Sequence, residues 1–162
     1  MARRSDFTEA EWEAMQTGVT RVGLLVSGSD RGVLGAMKEA HILAKHLGDA
    51  RKKTSSQFVA ELADMKGKGL MHAASADDFE RETLESLRES VAVLEAKAPD
   101  EVEAYRVFVL EVAEAVAAAA KSPGHIERIA LDLAGTPESA VGGEAGTLAR
   151  IRFALGAPTT SV

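Results

Sequence analysis

The stretch ADDFERETLESLRESVAVLEAKAPDEVEAYRVFVLEVAEAVAAAAK, Ala76 to Lys121, decides the fold. In its first half the apolar positions are Phe79, Leu84, Leu87, Val91 and Leu94. In its second half Val102, Tyr105, Val109, Val112 and Val116 recur at steps of three and four, which lines one face of a helix. Ser75 is placed to cap the first helix, and the acids that follow it suit the positive end of the helix dipole. Pro99 stops that helix, and Asp100 with Glu103 has the spacing of a capping box for the next. So short a connection predicts two long helices folded back as antiparallel neighbours, each spanning about 30 Å.

The same rhythm extends in both directions. In DFTEAEW, Thr8 and Glu11 form a capping box, and Phe7 and Trp12 take the spacing of a hydrophobic staple. Trp12, Met15, Val19, Val22 and Val26 then give one stripe, predicting a helix from about Glu9 to Val26. A second helix is expected from Val33 to Leu47, closed by Gly48. Ser55 or Ser56 caps a short third helix that buries Phe58, Leu62 and Met65. Beyond SPG, Ile126, Ile129, Ala130 and Leu133 fit another short helix. EAGTLARIRFALG fits a last one, with Leu148, Ile151 and Leu155 inward and Gly156 as its stop. No segment alternates with period two. The fold class read from this is all-α: a six- to seven-helix orthogonal bundle with a long antiparallel hairpin at about 77–121. It occupies 1–162 as a single domain, with 1–7 and 157–162 expected to fray.

Composition agrees. The chain has 162 residues, 46% of them hydrophobic but only 4% aromatic, a balance that suits closely packed helices. The lack of cysteine leaves no disulfide framework and fits a reducing compartment. MARRSDFTEAEW has no apolar run after its arginines, and no stretch approaches the ~20 apolar residues of a membrane span. A cytoplasmic protein is therefore expected. A net charge of −6 argues against nonspecific nucleic-acid binding. The charge is uneven: KHLGDARKKTSS and MKGKG are basic, whereas DDFERETLESLRESVAVLE and PDEVE are acidic. Such halves attract each other within one molecule, or serve an acidic partner or a second copy.

Candidate sites are few. The glycine-rich SGSDRGVLG follows a helix instead of a strand and lacks the lysine of a phosphate-binding loop, so Gly28 and Gly32 read as turn residues. Ser27, Ser29 and Asp30 supply hard oxygens, but a single carboxylate falls short of a calcium loop. His41 and His46 are five apart and do not share a helix face, and neither His72 nor His125 stands in a metal motif. No serine sits in a nucleophile elbow. Glu111 and Glu114, three apart among alanines and valines, are the acids whose burial would mark a site. No catalytic residue, cofactor site or metal site is assigned. Asp30, Ser27, Ser29, Glu111 and Glu114 stand only as weak metal candidates.

The layout TRVGLLVSGSDRGVLGAMKEAHILAKHLG, a helix, a loop with an acid and glycine, then a helix, resembles a unit of the TerB-like (tellurite-resistance) helical domains. A second such unit runs from YRVFVLEVAEAVAAAAK, after an inserted segment, to EAGTLARIRFALG. FTEAEWEAMQ with GVTRVGLLVS also resembles the opening of small uncharacterised bacterial helical proteins. That family's loops carry Asp-Gly and further acids associated with divalent cations. Here only Asp30 matches, followed by Arg31, and TPESAVGG holds Glu138 alone. The resemblance implies a bacterial, non-catalytic accessory module linked to stress responses. Its partner would be another protein or a second copy. The alternative is a helical protein that binds a small ligand or a divalent cation.

Overall fold

The structure is a computed structural model and describes residues 2–28, 44–45, 47–49, 51–52, 54, 56–64, 76–120 and 144–156. The helices labelled here are α1 (Glu9–Gly28), α2 (Gln57–Leu62), α3 (Ala76–Lys97), α4 (Val102–Ala120) and α5 (Glu144–Ala154). Among the described residues there is no strand. The expected helix at 126–133, Ser75, Met65 and all four histidines lie outside the described residues.

α1 is the axis. Its stripe of Trp12, Met15, Val19, Val22 and Val26 is buried, as are Leu87, Val91 and Leu94 of α3 and Tyr105, Val109, Val112 and Val116 of α4. A fully buried Val or Leu contributes about 1.5–3 kcal/mol, so these stripes supply most of the drive to fold. The hairpin of α3 and α4 is present, turning through a 3-10 segment at Pro99–Glu101. Its arms meet mainly through α1, which packs far more extensively on each of them than they pack on each other. The physical reason is the width of the α1 face: Leu25 and Thr20 are buried beside its main stripe, so it serves two partners. α1 runs antiparallel to α3, with Lys97 against Glu11 at one end and Arg21 against Glu82 at the other. α5 lies across α1, α3 and α4 and closes the bundle with Ile151 and Leu155.

The ends of the helices follow local chemistry. The Thr8 amide donates to Glu11 Oε2 at 2.8 Å, and the Glu11 amide donates to Thr8 Oγ1 at 3.3 Å, completing the expected capping box. The staple is formed too, with the Phe7 and Trp12 ring centroids 5.8 Å apart. Of the two candidate caps before α2, Ser56 is the one used; its Oγ accepts from the Val59 amide at 3.2 Å. Gly156 ends α5 at φ +64, a left-handed angle that glycine adopts without strain. Gly48 does not end a helix. Residues 47–49 and 51–52 are helical, so the chain passes through it; glycine weakens a helix but stops it only where the backbone turns left-handed. The expected box of Asp100 and Glu103 overlaps a 3-10 turn at Pro99–Glu101, which starts from Ala98 with no side-chain cap and leads straight into α4. The N-terminal residues, expected to fray, are docked: Ala2 and Phe7 are buried, and the Arg4 amide donates to Glu61 Oε2 at 3.0 Å.

Glu11 does double duty, since Lys97 Nζ also reaches its carboxylate at 2.6 Å. The Lys97 hydrogen bond first, and the Thr8 amide second, hold its pKa down from 4.5 to about 2. A carboxylate with a depressed folded pKa contributes stability above its unfolded value and loses it as pH falls. Acid titration of the wild type should therefore show a decline between pH 4.5 and about 2 that Lys97→Met makes shallower. Thermal melts across that window check it; identical acid limbs in the two proteins would remove Lys97 as the cause.

Candidate functional site

The buried polar groups come first, because a reactive centre would need them. Thr83 and Ser90 on α3 are buried, yet Thr83 Oγ1 donates to the Phe79 carbonyl at 2.6 Å and Ser90 Oγ to the Ser86 carbonyl at 2.7 Å. Thr20 Oγ1 donates to the Gln16 carbonyl at 3.1 Å in the same way. These hydroxyls return one turn along their own helices and so answer to backbone. Tyr105, on α4 between α1 and α3, is fully buried, and among the described residues no hydrogen bond of good geometry reaches its hydroxyl. Burial pushes its ionisation well above the usual phenol range, against the smaller, opposite effect of the Ser90 hydroxyl. A phenol so held stays neutral.

Glu101 is the buried carboxylate among the described residues, and nothing in its local sequence marks it out. It accepts from the Ala2 amide at 3.2 Å through Oε1 and from Ser56 Oγ at 3.0 Å through Oε2. The turn at Pro99–Glu101 aims it inward, where it joins the N-terminal strap to the cap of α2. Both its oxygens are occupied by structural donors. Glu101→Ala strands an amide and a hydroxyl, and should cost about 1–3 kcal/mol. Chemical denaturation reads this directly, and a change under ~0.5 kcal/mol, typical of surface substitutions, would show the joint to be idle.

Of the weak metal candidates, only Glu111 and Glu114 have side chains among the described residues. Ser29 and Asp30 lie outside the described residues, and Ser27 is described only as backbone in the last turn of α1. Glu111 and Glu114 are exposed on the outer face of α4; Glu114 pairs with Arg152 at 2.6 Å. Among the described residues no group of three His, Asp or Glu side chains could hold an ion. None of the described helices is long and apolar enough to cross a membrane.

What the surface does offer is on α5 and α4. α5 is pinned on both flanks, Arg150 to Glu80 of α3 and Arg152 to Glu114 of α4. Arg106 of α4 donates through Nε to the Leu155 carbonyl at 2.6 Å. These clamps set the roll of the helix: Ile151 and Leu155 point inward, and Phe153 points out, 76% exposed. On α4, Val107 is 45% exposed on the stripe of Glu103, Glu111 and Glu114. Apolar stripes mark only the inward face of a helix, so neither residue is marked by spacing. The available signal was Phe153 itself, two positions from Ile151 and therefore across the helix from the core. No family model matches the chain, and no curated protein or solved structure matches it.

Proposed function

We propose that this chain is a non-catalytic protein-interaction module that docks a partner on the outer face of α4 and α5. One observation carries the reading: Phe153 stands in solvent on a helix whose other side is committed to the core. Aromatic side chains are favoured as buried anchors at interfaces, where leaving water gains about 1.5–3 kcal/mol. Val107 on α4 adds a second exposed apolar point in a polar surround, the pattern of an anchor with a wet rim. An accessory, stress-related role of the kind found in TerB-like domains belongs to this reading, as does a cytoplasmic setting.

The test uses tagged protein in a native lysate, comparing wild type with Phe153→Ser and Val107→Ser. One identified protein should be retained by the wild type and lost from both variants. Their stability should stay within about 0.5 kcal/mol of wild type, because both positions are exposed. Equal retention by all three would remove this face as the docking surface.

A further inference from the structure

We infer that the partner on this face is a basic amphipathic helix, which sets an apolar side chain on Val107 and a lysine or arginine on each of Glu103 and Glu111. The inference rests on reading the outer face of α4 and α5 as a docking surface and names the chemistry of what docks there.

Charge decides between partners. On α4, Glu103, Val107 and Glu111 follow one another at steps of four and are all exposed. An apolar side chain thus stands midway between two carboxylates about 12 Å apart along the helix axis. Glu111 has no ion pair or hydrogen bond among the described residues, and Glu103 has only the 3.8 Å approach of Arg106. That arginine is committed elsewhere, with Nε on the Leu155 carbonyl at 2.6 Å and its guanidinium 3.5 Å from Glu95. α4 holds no other basic residue.

The neighbouring helices do not supply the missing cations. On α5, Arg150 meets Glu80 and Arg152 meets Glu114. On α3, Arg81 pairs with Asp78 at 2.7 Å, and Arg88 stands exposed on its own helix among Glu85, Glu89 and Glu95. An acidic partner would therefore have to break the pairs at Arg150 and Arg152 and approach uncompensated glutamates. A basic partner meets carboxylates that no cation holds firmly. Like charges reject the first, and opposite charges steer the second inward, helped at long range by the net charge of −6.

Backbone chemistry selects a helix. The row lies on α4, whose amides and carbonyls are bonded within the helix, and among the described residues there is no sheet edge beside it. An extended peptide takes its affinity from main-chain hydrogen bonds to such an edge, so it gains little here. A helix arrives with its own backbone satisfied and offers side chains alone, repeating at the same three- and four-residue steps as the row it meets. Glu114, one turn beyond Glu111, is the residue that Arg152 holds, so the row runs up to α5, which carries Phe153.

The test measures binding of synthetic peptides to the intact chain. Two alanine-based peptides of about 15 residues are helical enough to use. Each has a central leucine, flanked four positions away on either side by lysines in one and by glutamates in the other. At about 0.01 M salt, where charges are felt over ~30 Å, the lysine peptide should bind at least ~10-fold more tightly. At about 1 M salt, where that range is ~3 Å, the margin should shrink. Glu103→Lys with Glu111→Lys should reverse the order of the two peptides, a gain that unfolding does not produce. Val107→Ser should weaken the lysine peptide roughly tenfold, as should a proline placed at the peptide's centre.

Equal binding of the two peptides, no reversal by the double lysine variant, or full binding of the proline peptide overturns the inference. A wild type heavier than 17.1 kDa in solution that Val107→Ser returns to monomer would give the row to a second copy and overturn it too. If the peptides fail while capture in a lysate still depends on Phe153, the partner's chemistry is wrong and the docking face stands. If capture ignores both Phe153 and Val107, the face itself falls, and this inference with it.

Discussion

Tyr105→Ala should cost about 3–5 kcal/mol, a large share of the stability of a domain this size, while Tyr105→Phe should leave the protein as stable or more so. The two substitutions separate what the ring does from what the hydroxyl does. The ring fills the space where α1, α3 and α4 meet, and removing it leaves a cavity that three rigid helices close only in part. Among the described residues no hydrogen bond of good geometry reaches the hydroxyl, and an unsatisfied buried polar group costs about 1–3 kcal/mol. It also explains Gly18 on α1, whose absent Cβ would stand 3.3 Å from the Tyr105 oxygen and 3.4 Å from Leu87 Cδ2. Glycine there makes room for the phenol. Gly18→Ala should be better tolerated in a Tyr105→Phe background than alone, because the oxygen it crowds is gone, and a double-mutant cycle reads that coupling. A large loss for Tyr105→Phe would mean that the hydroxyl is paired and that this account of Gly18 is wrong.

The core of this fold was readable because helical periodicity is a local signal. The stripes on α1 and α4 are buried at every position named from spacing alone, and the Thr8–Glu11 box and the inward turn of Ile151 and Leu155 follow from residues a few places apart. What escaped depends on distant pieces meeting. Glu101 looks like one more acid in an acidic turn until Ala2 and Ser56 arrive to donate to it. The hairpin arms look like natural partners until α1 takes the larger share of both faces. Val107 and Phe153 stayed hidden for a different reason, since a side chain that breaks the stripe has no local partner by which to place it. Glu111 and Glu114 were singled out as acids among apolar neighbours, yet both lie on the exposed side. A sequence rich in alanine makes that error easy, because alanine marks neither face.

Trp12→Ala should match Tyr105→Ala in size, at about 3–5 kcal/mol, but its damage should be uneven. Trp12 is the hub of an aromatic group, with ring centroids 5.8 Å from Phe7 and 5.7 Å from Phe58, the latter edge-on at 88°. Phe7 and Phe58 touch as well, at 5.9 Å. Such pairs add about 0.5–1.5 kcal/mol each beyond the area they bury, so losing the hub loses two of the three. Phe7 belongs to the N-terminal strap and Phe58 to α2, neither of which has a long apolar stripe of its own. Beyond the aromatics, Glu101 and Glu61 hold the strap, and Glu101 and Gln16 hold this corner to α4 and α1. Amide hydrogen exchange on the variant should therefore rise first in residues 2–7 and 57–62, with the α3 and α4 amides facing α1 protected for longer. The opposite order, or uniform loss at every amide, would mean that strap and α2 share one cooperative unit with the three long helices. The Glu101 joint would then transmit the unfolding that these contacts are expected to confine.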